Sequence, residues 1–346
     1  MIENIKISAF KSINQIEIEG SSLNFFTGTN SSGKSSILQS LLLLSQNLDD
    51  SYGLNGPMVS IGSYREARNY NISSSNVKIE VFQQQEKVGF ECNEEDFRLT
   101  GDTDCSLAQK LNMKNGKIHY LSCNRIGSRD IFNKNMSTIK GVGMNGEYAI
   151  DFLCQHKDEP IDMEMVQYKE TYTLLSQVNH WLKYIIGATI QPEEIVGTDV
   201  VKAGYGLVDG RYSRPRNVGS GISYLISIII ACLGSKKGDI ILIENPEIHL
   251  HPLSQSKVCE FLYFVSNAGR QLFVETHSDH IFNAVRVGVA TGSMKKEDVV
   301  INSLKLGSDN CTRNYVIDIG KNGKIENPMP KLFDQFEMDY NKMLGV

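Results

Sequence analysis

The hydrophobic pattern at the start of the chain alternates with a period of two and then changes to a helical period. Ile5–Phe10 and Ile13–Ile18 alternate apolar and polar side chains on either side of a Lys11-Ser12 break, which predicts two strands joined by a tight turn. Leu23–Phe26 is a third, apolar strand. A Gly/Ser-rich loop then leads into 34–46, where leucine and isoleucine recur with helical spacing. The pattern therefore predicts a strand, a glycine loop and a helix in succession.

The middle of the chain changes from strand patterns to a helical one. We interpret 59–121 as an antiparallel sheet, because short apolar segments alternate there with Asn, Ser and Gly. Its strands include Val77–Phe82, Val88–Glu91 and Ile118–Leu121. Met163–Ile186 has the length and the apolar spacing of one helix, with Trp181 as its largest apolar side chain.

Strands and helices alternate in the last part of the chain. The apolar strands at 240–243 and 271–275 each lead into a helix, and this alternation indicates a buried parallel sheet. The other predicted elements are strands at 188–195, 200–208, 299–306 and 314–319, and helices at 221–233 and 331–344.

Composition places the chain among ordinary globular proteins. Its 346 residues include 35 basic and 40 acidic side chains, a net charge of −5, which argues against a protein dedicated to coating nucleic acid but leaves a local basic patch open. The longest apolar stretch, Leu225–Leu233, is far shorter than the roughly 18 residues of a membrane span. The N-terminus has no leader pattern, so we expect a cytoplasmic protein. The 7 cysteines include no Cys-x-x-Cys pair, which argues against a disulfide framework or a zinc knuckle.

A phosphate-binding motif occupies the glycine loop. The pattern G-x-x-x-x-G-K-[ST] is matched by Gly-Thr-Asn-Ser-Ser-Gly-Lys-Ser at 28–35, between a strand and a helix. Backbone N–H groups of such a loop converge on phosphates, and the helix N-terminus adds partial positive charge. A flexible turn would have no need of Lys-Ser before an apolar helix. We therefore predict nucleotide binding by Gly28, Asn30, Ser31, Ser32, Gly33, Lys34, Ser35 and Ser36, with Ser35 offering its hydroxyl to Mg²⁺.

Polar motifs follow both apolar strands of the predicted parallel sheet. The first strand ends at Glu244, the position from which a P-loop fold holds Mg²⁺ through water. Asn-Pro-Glu-Ile-His-Leu-His-Pro follows at 245–252. The second strand ends at Thr-His-Ser at 276–278, which places His277 beside the same site. Asn-Val-Gly-Ser-Gly-Ile-Ser at 217–223 opens the preceding helix, so that four motifs occur in a fixed order.

The order Walker A, signature turn, Walker B and histidine switch resembles the ABC-class ATPases of the SMC, RecN and overcoming-lysogenisation-defect group. The strings at 244–252 and 275–278 are particularly similar to the last branch and to its small bacterial relatives, many of which occur in anti-phage defence or DNA repair. Weaker similarities at 121–125, 146–148 and 332–335 extend the match over most of the chain.

The resemblance implies an α/β fold, namely one ABC-type ATPase head over 1–346 with a mixed parallel core sheet, an antiparallel β subdomain and a helical insertion. Its parts are an N-terminal half at 1–147 with Walker A, the helical insertion at 148–186, and a C-terminal half at 187–346 with the signature turn, Walker B and the histidine switch. Two such heads sandwich two ATP molecules, so the resemblance also implies a homodimer or a higher homo-oligomer.

The resemblance assigns roles to individual residues, with two departures. Glu244 binds Mg²⁺, His277 senses the γ-phosphate, and the signature Gly219, Ser220 and Gly221 contact the partner's γ-phosphate. Asn245 stands where relatives usually carry an acidic residue, so either Glu247 activates the water or hydrolysis is slow. The order Gly-Ser-Gly at 219–221 also replaces the usual Ser-Gly-Gly.

Other interpretations of the polar residues stay open at this point. His249, His251, His277 and His280 have spacings that zinc ligands also show, although their position beside phosphate and Mg²⁺ argues for other roles. One run of basic residues is either a solvated loop or a contact with nucleic acid or with the other subunit's phosphates. The same alternatives apply to Arg125 and Arg129. The run comprises Lys202, Arg211, Arg214 and Arg216. The stretch after Thr291 is too short for a Toprim nuclease domain.

Two functional hypotheses follow. In the first, the protein binds and hydrolyses ATP, dimerises around Mg-ATP and gates a partner effector such as a nuclease or a toxin, plausibly in anti-phage defence or DNA repair. In the second, it is a low-turnover, nucleotide-stabilised scaffold or sensor that holds the effector, and Asn245 is the residue that favours this alternative. The sequence identifies neither the partner nor the trigger, and it leaves DNA open as a ligand.

Overall fold

The computed structural model describes residues 1–73, 76–137, 141–207, 211–328, 333 and 335–344. Its strands are β1 (Asn4–Phe10), β2 (Ile13–Glu19), β3 (Leu23–Gly28), β4 (Val77–Gln83), β5 (Glu86–Cys92), β6 (Phe97–Gly101), β7 (Ile118–Leu121), β8 (Ile131–Asn133), β9 (Thr189–Glu194), β10 (Val200–Gly206), β11 (Tyr212–Ser213), β12 (Ile240–Glu244), β13 (Gln271–Glu275), β14 (Val299–Leu306) and β15 (Thr312–Val316). Its α-helices are α1 (Lys34–Asn47), α2 (Tyr64–Ala67), α3 (Ser106–Leu111), α4 (Ala149–His156), α5 (Leu174–Ile186), α6 (Gly221–Gly234), α7 (Pro252–Asn267), α8 (Asp279–Thr291) and α9 (Gln335–Leu344).

A mixed sheet in the order β15-β14-β3-β13-β12-β7 carries the polar motifs. All neighbouring pairs in it are parallel except β14 with β15. Every residue of β12 and β13 is buried, as expected for parallel strands with both faces covered. The register pairs Glu244 with Glu275, and Glu275 with Phe26. Both carboxylates therefore lie at the edge of the sheet where β3 enters the glycine loop, the edge at which parallel sheets bind ligands.

The second sheet is antiparallel, in the order β2-β1-β4-β5-β6, and helix α1 lies between it and the mixed sheet. Helix α1 is buried on almost all sides, because its leucines contact both sheets. Burial of each such leucine contributes about 1.5–3 kcal/mol to folding. Packing of these leucines between the two sheets therefore holds α1 in place, and this sets the direction in which the glycine loop leaves β3.

Helices α4 to α8 and the strands β8 to β10 contribute to a second hydrophobic cluster that also includes residues of the mixed sheet. Helix α6 is almost entirely apolar and buried from Gly221 to Leu233. Trp181 on α5 packs against Phe261 and Phe264 of α7, with ring centroids 4.9 and 5.0 Å away. This packing keeps α6 and α7, which begin beside the polar motifs, in a fixed relation to the sheet.

The sheet predicted for the strand Ile118–Leu121 is wrong. This strand belongs to the mixed sheet, parallel to β12, and not to the antiparallel sheet. Its side chains identify the partner, since the His119 ring bonds the Asp239 carboxylate at 2.9 Å and the Tyr120 hydroxyl donates to Glu244. A four-residue apolar segment fits either sheet when only its own pattern is considered.

The single helix predicted over 163–186 is also wrong, because the α-helix begins only at Leu174 and Met163–Met165 is a short 3-10 turn. The buried Gln177 side chain explains the break. Its Oε1 accepts from the N–H groups of Gln167 and Tyr168, and its Nε2 donates to the carbonyls of Tyr168 and Thr171. These bonds fold the preceding segment back along α5.

Several predicted boundaries shift by a few residues. The strand predicted at 200–208 ends at Gly206, and 208 lies outside the described residues. The strand predicted at 314–319 is Thr312–Val316. Helix α9 begins at Gln335, while 331, 332 and 334, which the predicted helix and the similarity at 332–335 include, lie outside the described residues. Helices α4 and α5 fall within 148–186, but the division of the chain at 147 and 186 stays a prediction.

Candidate active site

The glycine loop joins β3 to α1 in a conformation that requires its two motif glycines. Gly28 has a φ of 143° and Gly33 a φ of 100°, both in the region that favours glycine. A Cβ atom on Gly28 would lie 2.1 Å from the Leu304 carbonyl oxygen, and one on Gly33 would lie 2.6 Å from Thr312 Oγ1. Of the predicted binding residues, Asn30 and Ser31 are exposed, Ser35 is half-buried, and Ser32, Gly33, Lys34 and Ser36 are buried.

Thr312 hydrogen-bonds to the glycine loop, and Ser12 hydrogen-bonds to Thr312. The Thr312 hydroxyl donates to the Ser32 carbonyl at 3.0 Å, and Ser12 Oγ lies 2.8 Å from Thr312 Oγ1. The Thr312 N–H also donates to the Ser12 carbonyl at 2.7 Å. No local sequence pattern predicts either contact, since Thr312 and Ser32 lie 280 residues apart.

Lys34 lies over the loop with its ammonium group near two carboxylates. Its Nζ donates to the carbonyls of Gly28 and Thr29 at 3.2 and 2.9 Å. Burial lowers the pKa of Lys34, and the negative charges of Glu275 and Glu247 oppose this effect. The Lys34 ammonium therefore interacts electrostatically with acids at or just after the ends of the neighbouring strands.

Glu244 is oriented by two donors from the end of β7. Its Oε1 accepts from the Tyr120 hydroxyl at 2.9 Å, and its Oε2 accepts from the Cys123 N–H at 2.9 Å. Burial is the main cause that raises the pKa of Tyr120, with the charge of Glu244 next, so the phenol keeps its proton and donates. Tyr120 is a residue of the candidate site that the sequence motifs do not identify, because its strand was predicted to lie in the other sheet.

Arg125 clamps the turn that follows Glu244. Its guanidinium donates to the carbonyl oxygens of Ser122 at 2.7 Å, Glu244 at 2.6 Å and Asn245 at 2.6 Å. The side chain is 3% exposed, and burial lowers its pKa to about 10 against the charges of nearby acids. The open interpretation of Arg125 as a nucleic-acid contact is therefore wrong, because the guanidinium is buried against the protein's own backbone.

Asn245 occupies that turn with a left-handed φ of 44°. Its N–H donates to the Glu275 carbonyl at 2.8 Å, which ties the ends of β12 and β13 together. Its Oδ1 is buried and has no hydrogen-bond partner among the described residues. An amide oxygen in this position can accept from a ligand or from a water, but it cannot take up a proton at neutral pH.

Glu247 connects the Walker B turn to the segment that carries His277. Its Oε2 accepts from the Thr276 hydroxyl at 2.9 Å, and its Oε1 accepts from the His277 N–H at 2.7 Å. Burial raises the pKa of Glu247 although these bonds oppose it. The His277 ring is on the exposed side, and burial together with the nearby charge of Lys34 lowers its pKa. Walker A, Walker B and the histidine segment thus meet at one place.

Glu275 is a third carboxylate of this site, and the sequence analysis gave it no role. Burial raises its pKa to about 7, while the nearby Ser35 side chain lowers it and the charges of Glu244 and Glu247 raise it further. Its Oε2 has no hydrogen-bond partner among the described residues. An acid at the carboxyl end of a buried parallel strand next to the P-loop strand is the signal by which it could have been found.

The signature turn lies against the Walker B loop. Gly221 is buried at the start of α6, where a Cβ atom would lie 2.6 Å from the His249 carbonyl oxygen. The rings of Tyr224 and His249 are 4.8 Å apart. Gly219 and Ser220 are exposed, so their backbone is accessible to a ligand from outside the chain.

One further histidine and two residues of the basic run have partners within the chain. His251 caps α7, since its Nδ1 accepts from the Leu253 N–H at 3.3 Å. In the part of the chain that the structure describes, no group of three or more His, Cys, Asp or Glu could hold a metal ion. Lys202 pairs with Glu193 at 3.0 Å and Arg216 with Asp130 at 3.9 Å, which favours a solvated surface for these two members of the run.

The polar atoms around the loop fit a nucleotide with its magnesium ion. Buried oxygens without a hydrogen-bond partner among the described residues include Ser32 Oγ, Asn245 Oδ1 and Glu275 Oε2. The loop N–H groups and Lys34 suit phosphate oxygens, while the Ser35 hydroxyl and the carboxylates are the oxygen ligands that Mg²⁺ prefers. Mg²⁺ keeps several waters and phosphate ligands in such sites, so it does not need a cluster of three protein acids.

Comparison with known proteins supports the same interpretation. The AAA ATPase domain family model, AAA_15, matches residues 1–126 and 100–282. No curated protein sequence matches the chain significantly. No helix of the described residues is long and apolar enough to cross a membrane.

Solved structures of SMC heads share the fold at low sequence identity. The SMC head bound to the C-winged helix domain of ScpA is 13% identical with a TM-score of 0.55, covering 92% of this chain and 98% of that chain. The SMC head domain from Thermotoga maritima is 12% identical with a TM-score of 0.50, covering 92% and 99%. The Smc head with an extended coiled coil bound to the C-terminal domain of ScpA from Pyrococcus furiosus is 12% identical with a TM-score of 0.56, covering 100% and 99%. The predicted α/β fold class of an ABC-type ATPase head is confirmed.

Proposed function

Because the chain belongs to the AAA ATPase domain family and has the fold of an ABC-type ATPase head, we propose that it binds Mg-ATP at the loop 28–36 and hydrolyses it. The observation that carries the proposal is the convergence of Lys34, Glu244, Glu275 and His277 at one edge of the mixed sheet. A phosphate loop alone would support binding. Acids and a histidine at the adjoining strand ends support hydrolysis as well.

The chain offers separate groups for phosphate and metal. Gly28, Asn30, Ser31, Ser32, Gly33, Lys34, Ser35 and Ser36 bind the phosphates through the loop backbone, the ammonium and the hydroxyls. Ser35 and Glu244 hold Mg²⁺, Glu244 through water, with the Glu244 carboxylate oriented by Tyr120 and Cys123. When bound, the ion neutralises charge on the β- and γ-phosphate oxygens.

Hydrolysis requires a group that orients the attacking water and one that accepts its proton. Asn245 orients the water through Oδ1, the oxygen that has no partner among the described residues. Glu247 accepts the proton, and burial raises its pKa toward the range that suits a base at neutral pH. His277 contacts the γ-phosphate as a neutral ring, consistent with its lowered pKa. Because Asn245 replaces the usual acid, we expect slow turnover.

ATP also joins two heads in this proposal. The exposed Gly219 and Ser220 precede α6, whose N-terminus carries partial positive charge suited to the γ-phosphate of a second subunit. The chain is then a homodimer when ATP is bound, or part of a higher homo-oligomer. Its site resembles the overcoming-lysogenisation-defect branch more than the SMC branch, on the strings at 244–252 and 275–278.

The ATP-bound dimer gates a partner effector, a nuclease or a toxin, in the cytoplasm during anti-phage defence or DNA repair. Two of the SMC heads with this fold are bound to domains of ScpA, so the fold is compatible with a protein partner. The second candidate is a nucleotide-stabilised scaffold or sensor with negligible turnover, and the amide at Asn245 favours it. DNA is a further ligand that neither candidate excludes.

A binding titration tests the proposal. Mg-ATP should bind the wild-type protein, and Lys34→Ala should remove most of the affinity, because no other ammonium contacts the loop carbonyls of Gly28 and Thr29 among the described residues. Lys202→Ala, which removes a lysine paired at the surface with Glu193, is the matched control. Equal ATP affinity of the Lys34→Ala and wild-type proteins contradicts the assignment of the site.

A further inference from the structure

The three carboxylates at the site differ in the hydrogen bonds that their oxygens accept. Both oxygens of Glu244 accept hydrogen bonds, from Tyr120 and Cys123, and both oxygens of Glu247 accept hydrogen bonds, from Thr276 and His277. Glu275 is as deeply buried as Glu244, at 5% and 6% exposed, yet its Oε2 has no hydrogen-bond partner among the described residues. Burying a carboxylate oxygen without a partner is costly, so this oxygen calls for a ligand.

The surroundings of Glu275 indicate which ligand. The Ser35 side chain, at the position that offers a hydroxyl to Mg²⁺, is close enough to the Glu275 carboxylate to lower its pKa. The Lys34 ammonium and the carboxylates of Glu244 and Glu247 all act on its pKa. Three carboxylates, Glu275 with Glu244 and Glu247, thus come together around an open carboxylate oxygen. A divalent cation with oxygen ligands matches that charge and that chemistry.

We propose that Glu275 is a direct ligand of the magnesium ion that accompanies the nucleotide, next to Ser35. The register places Glu275 between Glu244 on β12 and Phe26 on β3, which leads into the loop, so the carboxylate lies between the Walker B acid and the P-loop. Glu275 supplies the negative charge of the inner ligand set, and Glu244 acts through water. This inference rests on the proposed function, since the ion binds together with the nucleotide.

A purely structural role makes a different prediction. If Glu275 only orients the Ser35 hydroxyl, removing Glu275 lowers metal affinity only while Ser35 is present. The double variant then binds the metal no more weakly than Ser35→Ala alone. If Glu275 is itself a ligand, Glu275→Gln lowers metal affinity in the Ser35→Ala background as well. The double-mutant cycle therefore separates a ligand from a positioning residue.

Mn²⁺ is the probe, because electron paramagnetic resonance distinguishes its free and bound forms. Mn²⁺ is titrated into the full chain with saturating ADP, and ADP affinity is measured separately in EDTA. We expect Glu275→Gln to weaken Mn²⁺ binding roughly 10- to 100-fold, alone and in the Ser35→Ala background, and to leave metal-free ADP affinity unchanged or higher. Asp239→Asn, which removes an equally buried acid from the start of the neighbouring strand, should leave both affinities unchanged.

Each outcome decides the proposal. Wild-type Mn²⁺ affinity in Glu275→Gln, or an effect that disappears with Ser35→Ala, overturns it while nucleotide binding and the proposed function stand. Failure of the wild-type protein to bind ADP overturns both. If Glu275→Gln does not fold, Glu275→Asp keeps the charge and draws the oxygens back by one methylene, and unchanged Mn²⁺ affinity in that variant overturns the inference.

Discussion

Replacement of the buried Arg125 tests whether the Walker B turn depends on a residue from the segment that follows β7. Arg125→Met keeps most of the side-chain volume and removes all three bonds from the guanidinium to the carbonyl oxygens of Ser122, Glu244 and Asn245. Hydrogen bonds from charged groups contribute about 1.5–3 kcal/mol each, and the removed cost of burying the cation offsets part of that sum. We expect the free energy of unfolding to fall by about 3 kcal/mol, in line with breaking one partner of a buried charged contact.

The assay combines thermal and urea unfolding with ATP turnover. With an unfolding entropy of about 2.1 cal/mol/K per residue over 346 residues, a loss of about 3 kcal/mol lowers the melting temperature by roughly 4 °C. Turnover should fall further than the folded fraction explains, because the carbonyls of Glu244 and Asn245 lose their common donor and the turn with its left-handed φ is released. Arg125→Lys should recover only part of both, since an ammonium lacks the planar fork of donors.

Arg129→Met is the matched control, because it removes an exposed arginine four residues further along the chain. It should melt within about 1 °C of the wild-type protein, as surface substitutions usually do. A stable and fully active Arg125→Met protein would refute the view that this guanidinium holds the Walker B turn in place.

Three further results are expected. Glu247→Gln should lower single-turnover hydrolysis more than Asn245→Ala does, with ATP affinity nearly intact; full activity in a stable Glu247→Gln protein would remove Glu247 as the base. A non-hydrolysable ATP analogue should convert monomer to dimer in sedimentation, and Ser220→Glu should prevent this by placing negative charge at the start of α6; a nucleotide-independent monomer would refute the sandwich. Gln177→Ala should lower the free energy of unfolding by about 2–4 kcal/mol, because four hydrogen bonds from one buried side chain are lost; an unchanged urea midpoint would show that the segment before α5 does not need them.

The sequence predicts those parts of the site that lie within one continuous segment. The loop at 28–35, Glu244, and the histidine after β13 are each encoded by a strand and the residues that follow it, so periodicity and motif together locate them. The edge at which they meet also follows, because the carboxyl ends of parallel strands meet at one edge of a sheet.

Contacts between distant segments could not be predicted in the same way. Thr312 supports Ser32 through one hydrogen bond across the mixed sheet, and no period in the sequence links these residues. Tyr120 and Arg125 act on Glu244 only because β7 is the edge strand beside β12, and a four-residue apolar strand does not indicate its neighbour. In the sequence Glu275 is only the last residue of a strand, and its place beside Glu244 and the loop follows from its register against β12 and β3.

The rate of phosphate release from ATP by the purified protein with Mg²⁺, compared with Lys34→Ala, shows whether the loop at 28–36 is a site of hydrolysis. We expect slow but measurable turnover in the wild-type protein, none above background in Lys34→Ala, and none in either protein when EDTA removes the metal. Phosphate release that is equal in the two proteins would contradict this expectation, because the loop at 28–36 would then not be the site of hydrolysis. Tight ATP binding with no release in the wild-type protein would instead support the scaffold or sensor.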